Sequence, residues 1–119
     1  MAESTQFRDR EGQQWIALTG DAYIDGNSGQ RILDLALVLL EKGLPRVAVD
    51  LSPTRVVNSV GISRFIQMVE TFESGNIAFC GASNAVAKTL RIMGLLQKAV
   101  LCDSIEEAAT TLPLSGGKR

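Results

Sequence analysis

Residues 46–70 read RVAVDLSPTRVVNSVGISRFIQMVE, and the change of pattern inside this stretch decides the fold. Arg46–Asp50 is short and apolar, as a buried strand is. Ser52-Pro53 breaks it, because the residue before a proline is pushed out of helical geometry. From Ser59 the pattern changes. Ile62, Phe65, Ile66, Val69 and Phe72 recur at helical spacing and make one apolar stripe, with Gly75 expected to end the helix. At the junction stands NSVG, residues 58–61. Asn58 is a good N-cap, since its side-chain oxygen accepts an N–H from the first turn. Ser59 then lies beside unpaired N–H groups at the positive end of the helix dipole. Gly61 keeps that turn bare. The local physics permits a phosphate on Ser59 and does not require one; plain capping also accounts for the pattern.

Outward from this unit the same alternation continues. Gln6–Arg8 and Gln14–Thr19 read as a hairpin joined by DREG and Gly12, with Trp15 in its second strand. GDAYIDGNSG, residues 20–29, reads as a loop of turn formers, with Ser28 expected to cap the helix that follows. That helix runs to about Lys42, stopped by Gly43 and Pro45. Ile32, Leu33 and the run from Leu35 to Leu40 wrap most of its circumference, more than one stripe against a sheet requires. The excess implies either a second helix packed on it or an exposed patch for a partner. Further on come a strand at Asn76–Cys80 and a helix with Val86, Leu90 and Met93 inward, closed by Gly94. A strand at Ala99–Leu101 precedes a last helix capped by Asp103 or Ser104, carrying Ile105, Ala108, Ala109 and Leu112. The expectation is an α/β fold of order β-β-α-β-α-β-α-β-α: about five strands in a mixed sheet and about four helices. One domain is expected over residues 1–119, with its core at about 6–112 and a disordered tail at 113–119.

Composition narrows the chemistry. The chain has 119 residues, 45% hydrophobic, with 12 basic and 13 acidic residues and no His. One core and one domain fit that length. The near-neutral charge argues against nucleic acid as a partner. Without His, the usual hydrolytic triads and most zinc sites are gone. No GxGxxG or GxxxxGK[ST] is present, so a phosphate cradle is not expected. NSVG is not a GxSxG elbow, because Val57 stands two residues before Ser59. Asp21, Asp25 and Asp34 match no oxygen-ligand loop and read as solvated carboxylates, so neither metal nor cofactor is expected. The N-terminal MAESTQFRDREG lacks an apolar h-region, and the densest apolar run, Leu35 to Leu40, is too short to span a bilayer. A cytoplasmic location without membrane insertion is the expectation. The two cysteines, Cys80 and Cys102, each end an expected strand and read as buried, reduced thiols. If those strands are neighbours a disulfide is geometrically open, though a cytosolic redox poise disfavours it.

VAVDLSPTRVVNSVGISRFI resembles the signature of STAS domains of the anti-sigma factor antagonist type, in which an apolar strand ending in Asp leads through a short turn to Asp-Ser-x-Gly at the start of a helix. GDAYIDG falls where that family carries Gly and acidic residues before its first helix, and LRIMGLLQKAVL is similar to its third helix with the turn into the last strand. The resemblance covers about Gln14 to Leu112. It implies a binding module rather than an enzyme. The unphosphorylated antagonist binds an anti-sigma factor that is also a serine kinase of the GHKL-type ATPase fold, and so frees a sigma factor. Phosphorylation of the motif serine, here Ser59, breaks the complex, and a PP2C-type phosphatase restores it. Asn58 stands where the family commonly has Asp, which keeps the cap but removes a negative charge beside the acceptor. Arg55, in the turn, could pair with a phosphate or an acidic partner.

Partner contacts are expected from Asp21, Tyr23 and Asp25 in the loop and from Asn58, Ser59, Val60, Gly61 and Ser63 at the start of the helix, Ser63 one turn beyond Ser59. Three other readings stand beside the leading one. The first is a STAS accessory subunit of a membrane transporter ATPase, prompted by the apolar excess of the first helix. The second is a constitutive STAS interaction module without phosphorylation. The third is a small-ligand or nucleotide regulator that uses the bare helix N-terminus. A homodimer is a further expectation to test, because that first helix is so apolar.

Overall fold

The computed structural model describes residues 4–113. In chain order the elements are β1 (Ser4–Arg8), β2 (Gln14–Thr19), β3 (Tyr23–Ile24), α1 (Gly26–Glu41), β4 (Val47–Asp50), β5 (Val56–Val57), α2 (Ser59–Thr71), β6 (Ile77–Cys80), α3 (Asn84–Ile92), a 3-10 turn (Leu95–Gln97), β7 (Val100–Cys102) and α4 (Ile105–Thr111). Five of these strands form one sheet in the order β1-β2-β4-β6-β7. The hairpin pair β1 and β2 is antiparallel, and every other neighbour in the sheet is parallel. A second, two-stranded sheet pairs β3 with β5.

The strand residues explain why helices lie on both faces. Successive side chains of a strand point to opposite sides. Leu18, Val47, Val49, Ile77 and Phe79 therefore fill the core beneath the first three helices, together with Ile32, Ile62, Phe65, Met68, Val86 and Leu90. The alternate residues are Trp15, Ala17, Ala48, Ala78, Cys80 and Cys102, and these pack with Ala108 and Leu112 of the last helical segment. The small side chains in the centre of that second face let α4 lie close to the sheet. Trp15 fills the hairpin side, fully buried, stacked on Phe7 with ring centroids 5.9 Å apart.

Several expectations shift by local physics. Ser28 does not cap α1. Asp25 does, through its carboxylate, while Ser28 sits at the third helical position and its hydroxyl accepts the Asp25 N–H, so the two form a reciprocal capping box. The helix thus starts at Gly26, inside the segment read as loop. α2 ends at Thr71 with Phe72 as its C-cap rather than at Gly75, which instead makes the positive-φ turn into β6. Met93 is not inward: it is the C-cap of α3 and half exposed, and Gly94 beyond it takes the left-handed conformation. The last strand is Val100–Cys102 rather than Ala99–Leu101, and Ser104 is the cap of α4. The apolar excess of α1 divides between two faces. Leu37, Leu39 and Leu40 pack on the core, while Leu35 and Val38 remain exposed. The expected tail beyond Pro113 lies outside the described residues.

Candidate functional site

The site grows from the small sheet that sequence periodicity missed. Tyr23 pairs with Val56 and Ile24 with Val57, which ties the loop after β2 to the segment leading into α2. The Ile24 carbonyl then accepts the Asn58 N–H at 2.9 Å. Asn58 itself is extended, and its Oδ1 accepts the Gly61 N–H at 2.8 Å, closing the first turn of α2. Its Nδ2 donates to the Tyr23 hydroxyl at 3.2 Å. The capping interaction is therefore made by Asn58, and Ser59, exposed in the first turn, lies outside it.

Glycines let the two helix starts meet. A methyl at Gly26 would lie 2.8 Å from Val60 Cγ1, and one at Gly29 would lie 3.2 Å from Gly61 Cα. A methyl at Gly61 would strike the Ile24 carbonyl oxygen at 2.7 Å. The N-terminal turns of α1 and α2 thus sit side by side, with the N–H groups of Asn27 and Ser28 capped by Asp25 and that of Gly61 by Asn58. On the segments that adjoin Ser59, the apolar side chains of Val56 and Val60 and the ring of Tyr23 are each about half exposed, at 49%, 45% and 54%, with Arg55 and Asn27 also exposed. An exposed hydroxyl beside half-exposed apolar side chains suits a protein partner better than a small polar ligand.

The other expected residues fall into place around this centre. Asp25 adjoins it through Gly26, and its carboxyl is held below the ordinary range, first by the Ser28 backbone N–H. Ser63 is half-buried and donates its hydroxyl back to the Val60 carbonyl at 2.6 Å. Asp21 is turned to a different partner: its carboxylate pairs with Arg31 at 3.0 Å, and its carbonyl accepts the hydroxyl of the buried Thr54 at 2.7 Å. Both members of that ion pair are well exposed, so it orders the loop more than it stabilises the fold. Of the three aspartates read as solvated carboxylates, Asp21 pairs with Arg31, Asp25 caps α1 and Asp34 accepts from Gln30. Sequence reasoning missed Thr54 and Val56. Thr54 lies in a turn whose composition signals exposure, and a two-residue strand carries no readable alternation.

This fold and this junction define the class. The family model of the STAS domain matches residues 7–108, and the chain belongs to that family. Among solved structures, the Thermotoga maritima protein tm1081, assigned as an anti-sigma factor antagonist, superposes with a TM-score of 0.68 at 14% identity, covering 88% of this chain and 90% of that one. The anti-sigma factor antagonist SpoIIAA superposes in its unphosphorylated form with a TM-score of 0.62 at 9% identity, covering 90% of this chain and 92% of that one. The phosphorylated Bacillus SpoIIAA gives 0.60 at 9% identity, covering 87% and 95%. At these identities the likeness shows the fold alone. No curated protein sequence matches. Among the described residues, no helix is long and apolar enough to cross a membrane.

Proposed function

We propose that this chain is an anti-sigma factor antagonist that binds an anti-sigma serine kinase of the GHKL-type ATPase fold and is released by phosphorylation at Ser59. The observation that carries the reading is the position of Ser59: exposed in the first turn of α2, relieved of capping by Asn58, and rimmed by Tyr23, Val56 and Val60. The free protein tolerates a phosphate there, because first-turn N–H groups and the helix dipole favour an anion. The complex does not. About −1.5 to −2 charges would have to be desolvated against an apolar contact surface. In the transfer the Ser59 Oγ–P bond forms as the terminal P–O bond of ATP breaks, ADP leaves, and the hydroxyl proton passes to a base that the kinase supplies. The chain acts as substrate and binding module in the cytoplasm, and a PP2C-type phosphatase resets it.

The test is a pull-down from native lysate with the wild type, Ser59→Ala and Ser59→Asp. Retention of a kinase by the wild type and Ser59→Ala, with more than tenfold weaker retention by Ser59→Asp, supports the reading. Equal retention by all three sinks the switch and leaves a constitutive interaction module. The exposed Leu35 and Val38 on α1 favour a second reading, a STAS accessory subunit of a membrane transporter ATPase. Recovery of such an ATPase with all three variants, and of no kinase, would select it.

A further inference from the structure

Cys80 and Cys102 are the last residues of β6 and β7, and they are direct register partners on neighbouring parallel strands. Register partners project to the same face of a sheet. Here that is the face beneath α4, where both thiols are free and buried in one apolar cluster. Adjacent strands run about 4.8 Å apart, and a disulfide requires Cα atoms roughly 4.4–6.8 Å apart. The register thus places the two Cα atoms within the span a disulfide bridges.

The two thiols differ in access and in acidity. Cys80 is fully buried. Cys102 lines a surface cavity of about 1020 Å³ along the open side of β7, together with Glu107 and Thr111 of α4. The hydrogen bond to Cys102, reinforced by burial, pushes Cys80 far above the ordinary thiol range. The same bond pulls Cys102 down, with a further hydrogen bond from Thr111, against burial and the charges of Glu107 and Asp103. Cys102 is therefore the group of the pair that ionises first.

We propose that Cys80 and Cys102 form a hydroperoxide-responsive dithiol, with Cys102 as the attacking thiol and Cys80 as the resolving one. The Cys102 thiolate attacks a peroxide oxygen: an S–O bond forms, the O–O bond breaks, and the leaving oxygen departs as hydroxide or alkoxide. Cys102 becomes a sulfenic acid, oxidised by two electrons while the peroxide is reduced. The Cys80 sulfur then attacks Cys102, the S–S bond forms, the S–O bond breaks, and water carries away the hydroxyl with the Cys80 proton. The thiolate rather than the thiol makes the first attack, so the access and acidity of Cys102 set the order. A cytosolic reductant would return the pair to the dithiol, which makes the bridge a transient state rather than a structural disulfide.

The test is treatment of the folded full chain with hydrogen peroxide, quenching, alkylation under non-reducing conditions and peptide mass mapping. The expected result is loss of both alkylation sites together and a linked pair of peptides carrying Cys80 and Cys102 in one chain, reversed by dithiothreitol. Cys102→Ser should slow oxidation of the remaining thiol by more than tenfold. Cys80→Ser should leave Cys102 as a sulfenic acid trapped by dimedone, with Cys80→Ala as the substitute if the serine variant does not fold. Two thiols that stay alkylatable in the wild type overturn the proposal. So does a bridge between two chains, or a Cys80 that reacts as fast in Cys102→Ser as the pair does in the wild type. The wild-type mapping alone decides whether the bridge forms, whatever the stability of the variants.

Discussion

The Cα of Gly61 faces the carbonyl of Ile24 so closely that an added methyl would lie 2.7 Å from its oxygen, with Ile24 Cγ2 and Val57 Cγ1 at 3.1 Å on the other sides. The same carbonyl accepts the Asn58 N–H. The start of α2 is thus pressed onto β3 through a position with no side chain, and all three atoms that would obstruct a methyl belong to the small sheet that sets the site. Gly61→Ala cannot be absorbed by rotating a flexible side chain, since the nearest atom is backbone. Overpacking of this kind costs about 1–3 kcal/mol. Urea denaturation should show the loss. A change below about 0.5 kcal/mol, the scale of an ordinary surface substitution, would mean that the two elements separate freely and that the junction is not rigid.

Val60 separates folding from binding. Its side chain is 45% exposed and lies over Gly26 at the meeting of the two helices. Val60→Glu places a negative charge in the first turn of α2, where the dipole favours it, so the melting temperature should change little. On the proposed docking surface the same charge must be desolvated against the partner, and affinity for the anti-sigma kinase should fall more than tenfold by titration calorimetry. Unchanged affinity would move the contact surface away from the helix start.

Asp25 gives the site a pH signature. Its carboxyl is held below the ordinary value of 3.8, foremost by the Ser28 N–H, with burial opposing and the Ser28 hydroxyl and Asn27 N–H adding to the lowering. A carboxyl lowered in the folded state stabilises fully above its unfolded value, and that contribution fades as pH falls through the folded value. The start of α1 should therefore loosen only in acid, below about pH 4. Asp25→Asn keeps a capping oxygen and removes the titration. Denaturation midpoints followed from neutral pH into acid should fall less steeply for Asp25→Asn than for the wild type. Parallel curves would show that the Asp25 cap does not contribute to the acid dependence.

The parts of this fold that could be read in the sequence were those written in long periods. The stripe Ile62, Phe65, Ile66, Val69 announced α2, and the apolar runs before Asp50 and Cys80 announced β4 and β6, because burial forces those patterns over several residues. The Asn58 cap was legible because capping chemistry is local. β3 and β5 were not legible: two residues each cannot show alternation, and their pairing depends on a partner more than thirty residues away. The start of α1 was misplaced for a related reason. Asp25 and Ser28 are both good capping residues, and only the backbone reveals that they act as the two ends of one box. Met93 was expected inside because it continued a helical spacing, yet the helix ends at Ile92 and the turn carries Met93 outward.

Asp9 illustrates how much a polar group in a turn can hold that composition does not show. It sits between β1 and β2, only 6% exposed. One carboxylate oxygen accepts the backbone N–H groups of Glu11 and Gln13 at 2.9 and 3.0 Å, and the other accepts the indole N–H of the fully buried Trp15 at 2.9 Å. The next residue, Arg10, donates its N–H to the Leu112 carbonyl at 2.8 Å, which ties the hairpin turn to the end of α4. Asp9→Ala would strand three donors, one of them on a buried indole, and should destabilise the fold by about 1–3 kcal/mol for the unpaired groups. Trp15→Phe in the wild-type background leaves the Asp9 oxygen without its indole, and so should cost more than the same change made on top of Asp9→Ala. The difference between those two costs, measured by chemical denaturation as a double-mutant cycle, isolates the indole–carboxylate bond. Additive costs would show that Trp15 acts in the hairpin through packing alone, with its stacking on Phe7 as the relevant contact.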